Sequence, residues 1–173
     1  MNEEAPDPPL SFDPLPLIEG AEDSGTSGSS TAKKAMAMLV SGDPAFRSPT
    51  KTQRRNLAMA FAGQDKIVYG RAFDAVRVPP DSDVDLDDLT SVESALAGLI
   101  LYEVKSTNSA NVGPDFQRYF FSLTTAELLV AQSLGPQFRF LLIHTLTGDR
   151  LELSLQDLFK RAQSIYPGWS VRF

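Results

Sequence analysis

The seven residues at positions 99–105, LILYEVK, constrain the fold of this chain more than any other segment. The first four are apolar, which is typical of a strand in the middle of a sheet that is covered on both faces. Glu103 and Lys105 stand two positions apart, so both side chains leave the same face of the strand. Because an acid and a base at the end of an apolar strand are costly to desolvate without partners, this position is a candidate functional site.

Helical and strand patterns alternate along the rest of the chain. Helices are predicted at 31–40, at 49–62 with Ser48 as N-cap, at 91–97, from Thr124 with a capping box to Glu127, and after Ser154. Strands are predicted at 66–70, 72–78, 99–105, 118–123, 138–145 and 169–173. Helices flanking a mixed sheet belong to the α/β or α+β class, with the helices before residue 63 as an N-terminal helical layer.

The length and the distribution of charge divide the chain into a tail and one domain. Its 173 residues suit a single domain. Residues 1–32 contain five prolines, a Gly-Ser-Thr run, seven acidic residues and no basic one, a composition typical of a flexible tail. We therefore predict an acidic tail over 1–32 and a single folded domain over 33–173.

The scarcity of cysteine and histidine excludes several kinds of site. The chain has no cysteine and one histidine, His144, which rules out disulfide scaffolds, thiol nucleophiles, thiolate zinc sites and multi-histidine metal sites. A bound metal should therefore be a hard cation on oxygen ligands, such as Mg²⁺, Mn²⁺ or Ca²⁺. Because no apolar run approaches the ~18 residues of a membrane span and the start lacks a basic signal-peptide region, we expect a cytoplasmic protein without membrane contact.

The charge outside the tail favours a polyanionic partner. Residues 81–93 hold six acids and no base, and the chain outside that stretch and the tail has a formal charge of +7. Such an excess is enough for a basic face that meets nucleic acid. Lys51, Arg54 and Arg55 share one stripe of the helix predicted at 49–62 and are candidate phosphate contacts, although a solvated helix face is the alternative.

A second carboxylate is expected beside the Glu103 position. Asp74 lies on the strand predicted at 72–78, and pairing of that strand with 99–105 would bring its side chain alongside Glu103. Two such carboxylates repel each other unless a divalent cation lies between them. Two structural alternatives stay open at this point: an exposed Glu103–Lys105 ion pair on an edge strand, and a purely structural Asp74, since the register is not visible in the sequence.

These residues resemble a known nuclease motif. Phe73-Asp74, followed after 28 residues by Glu103-Val104-Lys105, is similar to the PD-(D/E)xK motif of the restriction-endonuclease-like superfamily, with Phe73 at the customary proline. The longer run YEVKSTN at 102–108, then FFSLTTAE at 120–127 and an apolar strand, resembles a poorly characterised branch that is often attached to DNA-restriction or phage-defence proteins. The resemblance covers about 66–173.

The resemblance implies a fold, an activity and a cofactor. It implies a restriction-endonuclease-like core and a Mg²⁺-dependent endonuclease that cleaves DNA in restriction or phage defence, with Mn²⁺ as a possible substitute for Mg²⁺. Asp74 and Glu103, with the Val104 carbonyl, would bind the metal. Lys105 would orient or help to deprotonate the attacking water and offset charge on the phosphate.

Further roles and alternatives follow from the same resemblance. The residues after the motif, Ser106, Thr107 and Asn108, would donate hydrogen bonds to phosphate oxygens. DNA is the expected partner, and the protein would act as a homodimer or as a subunit of a larger complex. One alternative is a catalytically degenerate nuclease-fold module that binds nucleic acid or a protein, and another is an adaptor whose acidic tail recruits a partner.

Overall fold

The computed structural model describes residues 27–80 and 82–166 of the chain. The helices are α1 Ser27–Gly42, α2 Lys51–Ala62, α3 Leu89–Ala95, α4 Thr125–Leu134 and α5 Leu155–Arg161. The strands are β1 Phe46–Arg47, β2 Ala75–Arg77, β3 Ile100–Thr107, β4 Phe138–His144 and β5 Arg150–Leu153. Most of the predicted acidic tail, residues 1–26, and the strand predicted at 169–173 lie outside the described residues.

One five-stranded mixed sheet organises the molecule. Its strand order is β1-β2-β3-β4-β5, with β3 in the centre. β3 and β4 run parallel, whereas the β1–β2, β2–β3 and β4–β5 pairs are antiparallel. Helices flank this sheet, so the predicted mixed α/β class is confirmed.

The sheet separates two apolar clusters, and β3 contributes to both. Leu101 packs with Leu57 of α2 and Val130 of α4 in the larger cluster, whereas Tyr102 packs with Leu39 of α1 in the smaller one. Alternation along the strand then assigns each later residue to a face. Glu103 and Lys105 share the face of Leu101, and both faces of β3 are covered, as the apolar run predicts.

Two predicted strands do not form. Residues 66–70 follow the end of α2 as a loop, in which the Lys66 N–H turns back to the Phe61 carbonyl and the Ile67 N–H donates to the Ser133 hydroxyl. Residues 118–123 also lie outside the sheet, because Arg118 adopts a φ of 62° and Tyr119 turns its side chain toward β3. In these segments Val68, Tyr119, Phe121 and Leu123 pack against the core, whereas Ile67, Tyr69 and Phe120 are exposed.

The starts of α4 and α5 agree with the sequence, whereas α1, α2 and α3 begin two to four residues from their predicted starts. A capping box begins α4 at Thr124, as predicted, and the predicted cap Ser154 begins α5, where it forms a second capping box. The N-cap of α2 is Thr50 and not Ser48, because the Thr50 and Gln53 side chains satisfy each other's backbone N–H groups. α1 begins at Ser27, four residues before the predicted start. Among the described helices, none is long and apolar enough to cross a bilayer.

Candidate active site

The register between β2 and β3 brings the two predicted carboxylates together. Ala75 pairs with Tyr102 in the antiparallel ladder, and the Asp74 N–H donates to the Tyr102 carbonyl at 2.7 Å. Asp74 directly precedes β2 and lies beside Glu103, near enough for its charge to raise the pKa of the Glu103 carboxyl. The ladder covers Ala75–Arg77, so the strand predicted at 72–78 is shorter than expected and Asp74 lies just outside it.

The Asp74 carboxylate is fixed against the backbone of β3. Its Oδ2 accepts a hydrogen bond from the Val104 N–H at 3.0 Å. The N–H and the carbonyl of one residue point to the same side of an extended strand, so the Val104 carbonyl also faces the Asp74 side of β3. This end of the sheet thus gathers two carboxylates and one carbonyl.

Burial makes Glu103 a weak acid. The residue is only 7% exposed, and burial, followed by the nearby Asp74 charge, raises its pKa to about 8, while Lys105 opposes this shift. Two carboxyl groups in one buried place cannot both ionise cheaply. A cation between them would lower that cost.

The oxygen-only donor set suits a hard cation. No group of three or more His, Cys, Asp or Glu side chains within 27–80 and 82–166 has an arrangement suited to a metal. Mg²⁺, however, keeps several of its waters and commonly takes only one or two carboxylates from a protein. Asp74, Glu103 and the Val104 carbonyl fit that requirement.

Lys105 lies between two buried carboxylates. Its Nζ is 2.8 Å from Glu103 Oε1 and 3.0 Å from Glu127 Oε2. Burial by itself would lower the pKa of Lys105, but the Glu103 and Glu127 carboxylates outweigh burial and raise it. The side chain therefore carries a charged ammonium. The alternative of an exposed ion pair on an edge strand is wrong, because β3 is central, Glu103 is buried and Lys105 is half-buried.

Glu127 is a site residue that the sequence presented only as a helix cap. It is 6% exposed, and its Oε2 accepts from the Thr124 N–H at 3.1 Å as well as from Lys105. The capping-box pattern locates the start of α4 but says nothing about what lies beneath it. The position of Glu127 in the run at 120–127 was the one available signal.

The three polar residues after the motif have different surroundings. Thr107 is buried, and its hydroxyl accepts from the Ser109 N–H at 3.1 Å. Ser106 is half-buried, and its carbonyl accepts from the Tyr119 hydroxyl at 2.8 Å. Of these three, Asn108 is the exposed one.

Arg54 is directed inward, unlike its two basic neighbours on α2. Its guanidinium stacks 4.8 Å from the Phe73 ring and donates to four backbone carbonyls, those of Pro49, Gly70, Phe73 and Asp74. Burial lowers its pKa, while the Asp74 and Glu103 charges raise it. Lys51 and Arg55 are exposed. Arg54 therefore holds the segment that carries Asp74, and the other two face solvent.

The side chain of His144, the last residue of β4, bonds to neighbouring loops and does not belong to this site. It is 6% exposed, its Nδ1 accepts from the Leu146 N–H at 3.3 Å, and its Nε2 lies 3.1 Å from the Ser109 carbonyl. Acceptance at Nδ1 leaves the proton on Nε2, which donates to that carbonyl. Both ring nitrogens are thus used in holding two loops together.

Comparison of the chain with protein-family models, with curated proteins and with solved structures gives no match. The site consists of a carboxylate pair, a half-buried lysine on the same face of β3 as Glu103, and a third carboxylate behind that lysine.

Proposed function

We propose that this protein is a Mg²⁺-dependent endonuclease that cleaves DNA phosphodiester bonds on a restriction-endonuclease-like core, in restriction or phage defence. The observation that carries the proposal is the meeting of three charged groups at β3: the Asp74 carboxylate accepts from the Val104 N–H, and Glu103 lies 2.8 Å from Lys105 on one face of the strand. A pair of carboxylates, one buried and one half-buried, beside an ammonium suits a phosphate ester that is held through a cation.

Each residue of the site has a role in this proposal. Asp74, Glu103 and the Val104 carbonyl would hold Mg²⁺ or Mn²⁺. An ion held there would acidify water and offset charge on the phosphate. Lys105 donates to the phosphate or to the attacking water and stabilises the charge that develops in the transition state. Asn108, exposed just after β3, is placed to donate to a neighbouring phosphate oxygen.

The rest of the chain supports a DNA partner. Outside residues 1–32 and 81–93 the formal charge is +7, and Lys51 and Arg55 present two of these charges to solvent. Hydrolysis by a metal-activated water needs no side-chain nucleophile, which agrees with a chain that has no cysteine and a histidine engaged in a turn. The enzyme would act in the cytoplasm, as a homodimer or as a subunit of a larger complex.

The test is cleavage of supercoiled plasmid with Mg²⁺, beside an EDTA control. Asp74→Asn, Glu103→Gln and Lys105→Ala should each reduce the cleavage rate by about 10²-fold or more, because each removes a metal ligand or the charge beside the phosphate. Glu93→Gln and Lys160→Ala are matched controls at exposed positions and should cleave like the wild type. Circular dichroism establishes that each variant is folded. Wild-type rates in the three folded site variants would overturn the proposal.

A second candidate function is a nuclease-fold module that binds nucleic acid or a protein without catalysis. The observation that favours it is that Lys105 satisfies the Glu103 carboxylate without a cation, at 2.8 Å. Calorimetric titration with Mg²⁺ and Mn²⁺ separates the two candidates. Absence of cation binding together with DNA binding that EDTA does not change would select the binding module.

A further inference from the structure

The Glu127 carboxylate connects the start of α4 to the site face of β3. It lies outside the metal-binding set, yet it is 6% exposed and 3.0 Å from the Lys105 ammonium. A carboxylate so deeply buried is costly unless charged or hydrogen-bonding partners compensate it. Its partners are the Thr124 N–H and Lys105.

Capping α4 does not explain why this residue is a buried acid. The same helix position is filled in α2 by Gln53, a neutral side chain that accepts from the Thr50 N–H at 3.0 Å. In α5 it is filled by Asp157, which is exposed and bonds to Ser154. A cap in this chain therefore needs neither burial nor charge. The charge of Glu127 is explained by its second partner, Lys105.

Lys105 needs a partner that does not bind the cation. Its other carboxylate, Glu103 at 2.8 Å, is one of the two acids of the proposed metal site. A cation on Glu103 takes up that negative charge and leaves the ammonium with Glu127 alone. Glu127 belongs to α4 and lies outside the proposed metal-binding set. Its negative charge therefore stays available to pair with the Lys105 ammonium.

We propose that Glu127 is a positioning residue that holds the Lys105 ammonium on the site face of β3 while Glu103 engages the cation. This inference rests on the proposed function for the role of Lys105 in cleavage. With Glu127 neutral, Lys105 has Glu103 as its one charged partner and competes with the cation for that carboxylate. Cation affinity and cleavage rate should then both fall, by about 10-fold or more, as for other groups that orient metal ligands from behind.

Two substitutions in the full chain separate the cap from the charge. Glu127→Gln keeps a side chain that accepts the Thr124 N–H, as Gln53 does in α2, and removes the charge. Thr124→Ala removes the cap hydroxyl and keeps the charge. Thr124→Ala should lower the urea midpoint of unfolding but leave the cleavage rate within about two-fold of the wild type, since a cap contributes stability alone.

Acylation of Lys105 by acetic anhydride reports on its contact with Glu127 and does not require cleavage. The acylated fraction is measured by mass spectrometry relative to that of the exposed Lys160. Glu127→Gln should raise the relative acylation of Lys105 by about 10-fold, whereas Thr124→Ala should not change it. Glu103→Gln provides a second variant in case Glu127→Gln does not fold. Lys105 should stay protected in Glu103→Gln, because Glu127 still holds it.

The outcomes distinguish this inference from the proposed function. If the wild type does not cleave DNA, the proposed function fails, and the acylation ratios alone decide whether Glu127 holds Lys105. Unchanged acylation and cleavage in Glu127→Gln, or full exposure of Lys105 in Glu103→Gln, would overturn the positioning role. Raised acylation in Glu127→Gln with continued protection in Glu103→Gln supports it.

Discussion

At the scale of single residues, Glu103 connects stability and cation binding through one proton. Burial raises its pKa from 4.5 to about 8, so in the absence of a cation the folded protein holds this proton to a higher pH than the unfolded chain does. The unfolded chain releases the proton near the ordinary pKa. Between those two values a rise in pH favours the unfolded state. A cation must displace the same proton before Glu103 can bind it.

The pH dependence of the wild type should therefore have opposite signs for stability and for affinity. In EDTA, the free energy of unfolding should fall as pH rises from about 5 to 8, and Glu103→Gln should remove this part of the slope. The affinity for Mg²⁺ should increase over the same range, with proton release. Urea unfolding at several pH values and calorimetry in two buffers of different ionisation enthalpy measure these effects. Identical pH slopes for wild type and Glu103→Gln would contradict the expectation.

The sequence could predict a site residue where a fixed periodicity determines its direction. Two-residue alternation places Glu103 and Lys105 on one face of any strand, and the pairing of two neighbouring strands brings Asp74 beside them. Glu127 and Arg54 have no such signal. Glu127 is part of a capping box and Arg54 is part of a basic stripe. Neither local pattern shows the long-range contacts that place these two residues in the site.

At the scale of elements, α2 carries one basic residue that bonds to the backbone of the fold, Arg54, and two exposed basic residues, Lys51 and Arg55. Replacing both Lys51 and Arg55 by Ala should weaken DNA binding and lower the magnitude of its log–log salt slope by about 2, if each contacts one phosphate. Unfolding by urea should be unchanged.

Arg54→Ala should instead lower stability, because the carbonyls of Gly70, Phe73 and Asp74 lose their donor.

Fluorescence anisotropy across a salt titration and urea unfolding measure these two effects separately. A salt slope equal to that of the wild type in the Lys51/Arg55 double variant would assign this surface of α2 to solvent. Wild-type stability in Arg54→Ala would show that the segment before β2 holds Asp74 without the guanidinium.

Short strands show where local patterns stop being informative. Residues 66–70 and 118–123 have strand-like composition, yet neither segment joins the sheet, because strand formation depends on an available neighbour. β1 and β5, with two and four residues, are too short to carry a recognisable alternation. The long central strands β3 and β4 are the ones whose apolar runs predicted them.

At the scale of the whole molecule, the mixed α/β class followed from the alternation of helical and strand patterns, whereas the order of strands depends on contacts between distant segments. Charge is also unevenly distributed at this scale. Residues 1–26 carry seven acids and no base, whereas the chain outside 1–26 and 81–93 has a formal charge of +7. Acids tethered to a DNA-binding protein compete with phosphates for its basic surface.

Deletion of residues 1–26, which leaves α1 complete, should therefore tighten non-specific DNA binding at low salt. The difference should fade as salt rises, because the Debye length shortens from about 10 Å at 0.1 M to about 3 Å at 1 M. Binding isotherms of the full and shortened chains over that salt range test this. Equal or weaker binding by the shortened chain at low salt would exclude competition by the acidic segment.

The hydrogen bond from the Val104 N–H to Asp74 has a consequence for isotope exchange. β4 pairs with β3 along one edge, but at this position the other edge is closed by a side-chain carboxylate instead of a neighbouring strand. Amide hydrogens inside a sheet take up deuterium when the backbone opens, whereas this one depends also on the placement of a single carboxylate. The deuterium uptake of the Val104 amide therefore reports on the position of the Asp74 carboxylate.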